Sequence, residues 1–177
     1  MGNSIAEIYL DETRTQFRNY KAMAEKAMAQ VDAGEFFALL DAEANSIALI
    51  AKHLAGNMRS RWRDFLNSDG EKPDRQRDRE FIIEGEDRAA IMRQWEEGWQ
   101  CLLETLEALT PSDLNRIVFI RGEAHTVLKA ISRQQSHYAY HIGQIVLLAK
   151  HFKLHGWQTL SIPRGASETF NKEKWQK

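Results

Sequence analysis

The run TVLKAISRQQSHYAYHIGQIVLLAKHF, Thr126 to Phe152, contains no proline and a single glycine. Val127, Leu128, Ile131, Tyr138, Ile142, Ile145 and Ala149 recur along it at helical spacing, which predicts one long amphipathic helix. Beside that apolar stripe runs a polar lane of Gln134, His137, His141 and Gln144, spaced 3, 4 and 3 residues apart. Residues three and four apart are neighbours on a helix surface, so the two imidazoles point the same way. A polar lane at the edge of a core stripe is at least partly buried and needs partners.

Working outward, the chain is punctuated sparingly. Pro73 lies in the charged stretch NSDGEKPDRQRDRE, Pro111 follows LEALT, and Pro163 sits near the C-terminus. Between these marks three more helical patterns appear. The first, IAEIYLDETRTQFRNYKAMAEKAMAQV, sets Ile5, Ile8, Tyr9, Phe17, Tyr20, Met23 and Met28 roughly along one face, and DAGEF breaks it. The second, NSIALIAKHLAGNMRSRWRDFL, runs from near Asn45 to Leu66 with Ile47, Ile50, Leu54, Met58 and Phe65 on related turns. Asn45 or Ser46 can cap its start. The third, EDRAAIMRQWEEGWQCLLETLEAL, carries Met92, Trp95, Trp99, Leu102, Leu106 and Leu109 and ends at Thr110–Pro111. The β-branched segment NRIVFIRGEAHTV then reads as a short extended or hairpin-like excursion around Arg121-Gly122-Glu123. Without βαβ alternation, the expected fold is all-α: a four-helix bundle in a single domain over residues 1–177, with an irregular tail from about 156.

Composition narrows the function classes. Basic residues number 24 and acidic residues 25, a balance that argues against a nucleic-acid or polybasic membrane partner. Arg59, Arg61 and Arg63 are two apart, so a helix spreads them around its circumference. Arg61, roughly two turns from His53, is either a solvated side chain or a contact for an anionic substrate group. Cys101, the one cysteine, excludes an internal disulfide and reads as a packing residue in a reducing compartment. No apolar run is long enough to span a bilayer, and the N-terminal stretch shows neither a signal peptide nor a myristoylation pattern, since position 6 is Ala6. The expected location is cytoplasmic.

An HxxxH pair on a helix presents two nitrogens to one metal ion, yet core histidines are also common as hydrogen-bonded packing residues. A metal site needs a third ligand. His53, beside Leu54 on the second helix, supplies a candidate that an antiparallel bundle can bring to the pair. Three imidazoles with an open position match a catalytic site, because structural zinc sites are usually closed by four protein ligands. His125, His151 and His155 rank lower: the first precedes the last helix, and the others suit its C-terminal dipole.

With His53 and HYAYHIGQIVLLAKH together, the chain resembles the DinB-like superfamily of helical-bundle proteins regarded as metalloenzymes. The stretches KHLAGNMRSRWRDFLNSDGEKPDR, RGEAHTVLKAISRQQSHYAYHIGQIVLLAKH and SIPRGASETFN carry a closer likeness to an uncharacterised bacterial branch of it. Ala124 stands where that branch leads one to expect proline. The resemblance implies metal ligation by His53, His137 and His141, and relatives that are commonly homodimers. It also implies thiol-dependent transferase or isomerase chemistry using a low-molecular-weight thiol such as bacillithiol or mycothiol.

The leading expectation is therefore a metal-dependent transferase, isomerase or hydrolase with zinc or nickel on the three histidines. Asn57, Gln134 and Gln144 are candidates for orienting ligands or substrate. No general base is identifiable; the carboxylate-rich stretch from Asp69 to Glu80 is a source for one, or simply a solvated loop. The alternative is a non-catalytic metal-binding or sensing bundle that works as a dimer. A third reading has no metal and three satisfied core histidines.

Overall fold

The computed structural model describes residues 2–175. Besides two 3-10 turns, Arg77–Phe81 and Pro111–Asn115, eight α-helices and β-strands follow in order: α1 Ile5–Met28, α2 Ala33–Phe37, α3 Ile47–Trp62, α4 Arg88–Ala108, β1 Ile117–Ile120, β2 Glu123–Thr126, α5 Val127–Lys153 and α6 Ser167–Trp175. The helix starts follow capping chemistry. Ser4 and Glu7 form a capping box on α1, Asp32 and Glu35 another on α2, and Ser46, Asp87 and Thr126 cap α3, α4 and α5. Of the two candidates at α3, Ser46 is the cap. DAGEF does not merely break α1: Asp32 restarts the chain as the short α2.

The four long helices form a ring in which α1 packs on α5, α5 on α3, α3 on α4 and α4 back on α1. This is the expected all-α bundle. Its centre is aromatic: Phe17 meets the edges of Trp62, Trp99 and Tyr138 at centroid distances of 6.0, 6.5 and 5.8 Å. α3 is buried almost all round, which explains its run of alanines and its weak amphipathic pattern.

Two expectations need correction. On α1 the core face is Leu10, Thr13, Phe17, Ala24 and Met28, whereas Ile5, Ile8 and Met23 are exposed. The tail is irregular only as far as Ala166, because Ser167–Trp175 forms α6, none of whose residues is buried.

The excursion before α5 is a two-stranded antiparallel hairpin, Ile117 opposite Thr126 and Ile120 opposite Glu123. Its loop residues Arg121 and Gly122 both have positive φ, as a two-residue hairpin turn requires. The hairpin clamps the long α3–α4 connection. Gly70 N–H donates to the Phe119 carbonyl at 2.7 Å, and the Asp69 carboxylate accepts from the N–H groups of Glu71, Arg121 and Gly122. Desolvation opposes ionisation of Asp69, but these three backbone donors prevail and lower its pKa. The connection is thereby folded back over α3 and ends in a 3-10 turn, Arg77–Phe81.

Among the described residues, no helix is long and apolar enough to cross a membrane.

Candidate metal centre

The bundle brings His53 of α3 against His137 and His141 of α5. One ring nitrogen from each lies within 4.8 Å of the other two. The Nε2 atoms of His53 and His137 are 3.3 Å apart. Two imidazoles on a tetrahedral zinc ion, with Zn–N of about 2.0–2.1 Å, place their nitrogens about 3.3–3.4 Å apart. The spacing of this pair fits a shared ion.

The far sides of two rings fix their tautomers. His53 Nδ1–H donates to the Glu80 carboxylate at 2.8 Å, and His141 Nδ1–H donates to Gln144 Oε1 at 2.8 Å. Each bond leaves an Nε2 lone pair facing the other histidines, and carboxylate or amide support of this kind is typical of metal-ligating histidine. His141 Nε2 is buried and has no hydrogen-bond partner. A buried acceptor without a partner is costly, and a cation between the rings would satisfy it. These three histidines can hold a metal ion, and among the described residues they form a group of three with no cysteine or carboxylate as a fourth member.

Burial opposes protonation of the two α5 histidines. Burial, reinforced by His141 and His53, pushes the His137 pKa down to about 3. Burial likewise lowers that of His141 to about 4, against a smaller opposing effect of its bond to Gln144. Unfolded, both groups titrate near 6.5. Between pH 6.5 and 4 the unfolded chain therefore binds protons that the metal-free native state refuses, and native stability falls as pH falls through that window. Urea unfolding of chelator-treated protein is expected to show a lower midpoint at pH 5 than at pH 7.5; an equal or higher midpoint at pH 5 contradicts this reading of the rings.

Glu80 was the least legible member of the site. Its side chain is 8% exposed and also accepts a two-pronged contact from Arg75, Nε to Oε1 and Nη2 to Oε2, both at 2.8 Å. Burial pushes its carboxyl up, but the bonds from His53 and Arg75 outweigh that and hold it below the usual carboxylate range. The stretch from Asp69 to Glu80 is thus not simply a solvated loop. Nor does it offer Glu80 as a free base, since both carboxylate oxygens are already engaged. Gly56 makes the approach feasible: a Cβ there would stand 2.7 Å from Glu80 Cδ, so only a hydrogen leaves room for the carboxylate against α3. Phe81 follows and stacks on the His53 ring at 4.8 Å.

The remaining candidates divide. Gln144 supports His141 directly. Gln134 is 4% exposed, lines the same cavity, and leaves Oε1 without a partner. Asn57 also lines the cavity but bonds no histidine; its Oδ1 accepts from Tyr138 OH at 3.0 Å, which in turn accepts from Trp62 Nε1 at 3.1 Å. Arg61 is not solvated: it is 5% exposed and donates to the Gly70 carbonyl and to Glu71, while Arg59 and Arg63 point outward. His125 is buried in β2, away from the cluster and without hydrogen-bond partners, and His151 and His155 are exposed. Cys101 is partly buried against the core, as expected of a packing residue.

The histidines open on a cavity of about 510 Å³. A second cavity, of about 550 Å³, lies beyond Glu80 and Arg75 and contains none of the three histidines.

A family model described as Protein of unknown function (DUF1572) matches residues 4–166. The chain belongs to this family. The match takes in all four bundle helices, and all three histidines fall inside it. No curated protein and no solved structure matches the chain.

Proposed function

We propose that this member of the DUF1572 family is a metal-dependent enzyme of the DinB-like superfamily, acting on a small molecule by transfer, isomerisation or hydrolysis. The observation that carries the reading is the convergence of three imidazoles, one with a buried unpartnered nitrogen, on an open cavity. His53, His137 and His141 would hold the ion, with zinc and nickel the favoured occupants of an imidazole set. A bound divalent ion supplies Lewis acidity there, lowering the pKa of a water or a low-molecular-weight thiol.

The chain's own groups provide the rest. Glu80 and Gln144 fix the rings of His53 and His141, so the ligand set is pre-organised. Gln134 and Asn57 place side-chain amides in the cavity wall, where they can orient a substrate. Phe81 stacks on His53, and the Tyr140 ring lies 4.1 Å from that of His141, so aromatic faces flank both imidazoles. The reading includes a cytoplasmic location and a homodimer.

Cobalt-loaded protein titrated with a small thiol separates catalysis from mere metal storage. A thiol-dependent change in the visible cobalt spectrum is expected, because an enzyme of this kind needs an exchangeable position. A spectrum indifferent to thiol and to competing small ligands would favour the non-catalytic, sensing bundle.

A further inference from the structure

We propose that the cavity over the histidines binds a small organic anion, gripping its carboxylate or phosphate group with arginines while the body of the molecule reaches the metal centre. The inference rests on reading this cavity as the substrate site and adds the class of substrate.

Charge is segregated here in a chain whose formal net charge is only -1. Arg61, Arg75, Arg77, Arg121 and Arg133 all line the cavity, and no aspartate or glutamate does. The cavity beyond Glu80 is the internal contrast, since its lysines and arginines are interleaved with Asp74, Glu80, Glu84 and Glu86. There the signs are mixed; here one sign faces the space.

Two acids outside the wall compensate part of this. Glu80 engages Arg75, and Glu71 contacts Arg61, Arg75 and Arg121 at 2.9, 3.1 and 3.3 Å. Two carboxylates thus serve three guanidinium groups. Arg77 has only Asp78, 3.6 Å away with a side chain 99% exposed, and Arg133 has no carboxylate within 4.0 Å among the described residues. Arg77 and Arg133, exposed where they line the cavity, are therefore the guanidinium groups with donors to spare. Guanidinium groups with so little acidic compensation suit an anion as partner.

The planar fork of arginine matches carboxylate and phosphate oxygens in pairs, which a lysine-lined cavity would not do. Phe81 and Tyr140 add apolar surface beside the histidines for an organic body. The cavity volume falls within the range of about 300–1,000 Å³ usual for small-molecule sites.

The test is calorimetric titration of the untagged full chain with succinate and with inorganic phosphate, in a buffer free of both. Saturable binding of at least one probe is expected, and which probe binds tighter distinguishes a carboxylate from a phosphoryl ligand. The double variant Arg77→Gln/Arg133→Gln, at two exposed side chains, is expected to weaken binding about tenfold or more. Arg116→Gln, outside the cavity, is expected to leave binding unchanged, and metal content should be equal in all three proteins. Equal affinity in the double variant and the parent overturns the proposal, as does the absence of saturable binding of either probe. Both failures leave the metal reading standing if metal content is intact. Conversely, anion binding that persists in metal-free His141→Ala and still depends on Arg77 and Arg133 supports the anion site whatever the fate of the metal.

Discussion

Glu80→Ala is expected to weaken divalent-metal binding by about 10- to 100-fold without touching a single ligand. The carboxylate holds the His53 Nδ1–H and so aims Nε2 at the other two rings. Without it His53 is free to rotate or to change tautomer, and the ligand set must be organised anew at each binding event. Stability should fall as well. Arg75, with its side chain 4% exposed, loses one of its two acidic partners, and stranding a buried charge in this way costs up to about 3 kcal/mol. Metal affinity by chelator competition and urea unfolding read the two effects separately. Gly56→Ala supplies an independent check, because its methyl group occupies the carboxylate's place. It should reproduce most of the affinity loss, and the double variant should bind metal no more weakly than Glu80→Ala alone. Additive losses would mean that Gly56 and Glu80 act on the site separately.

Gly98→Ala is expected to destabilise the bundle even though alanine is the better helix former. In α4 a Cβ at this position stands 2.9 Å from Ala55 Cα and 3.1 Å from the Ala55 carbonyl oxygen. Those are backbone atoms of α3, so no side-chain rotation relieves the clash and the helices must separate. Overpacking of that kind costs about 1–3 kcal/mol, against a propensity gain of about 1 kcal/mol at most. The steric effect wins. Gly143→Ala in α5 is the counterpart, with nothing within 4 Å of its Cβ, and there the propensity gain should appear as a small stabilisation. Thermal melts of the two variants should therefore shift in opposite directions. A raised melting temperature for Gly98→Ala would contradict the close α3–α4 contact.

Much of this could be read from residue spacing. The period of Val127 to Ala149 defines α5, and helical geometry alone puts His137 and His141 side by side. His53 needed one further step, the packing of α3 on α5, which its place beside Leu54 made reasonable. Glu80 was beyond that method. Asp69, Glu71, Asp74, Asp78 and Glu80 are equivalent in an irregular charged stretch, and what selects Glu80 is the clamp of Asp69 on the hairpin together with the space at Gly56. Arg61 stays undecided in the sequence for a related reason: helical projection gives its direction, but not the folded-back connection that covers it. On α1, Ile5 and Ile8 fit an apolar stripe by type, yet the face that packs carries Ala6, Tyr9 and Leu10 instead.

We propose that His53, His137 and His141 hold one divalent ion. Elemental analysis of protein purified without a histidine tag, beside His141→Ala prepared identically, tests it most directly. About one equivalent of a divalent metal is expected in the parent and little in the variant, whose helical content should be unchanged by circular dichroism. A parent that carries no metal, takes none up on reloading, and unfolds at the same midpoint with or without chelator would contradict the claim, leaving the three histidines as packing residues.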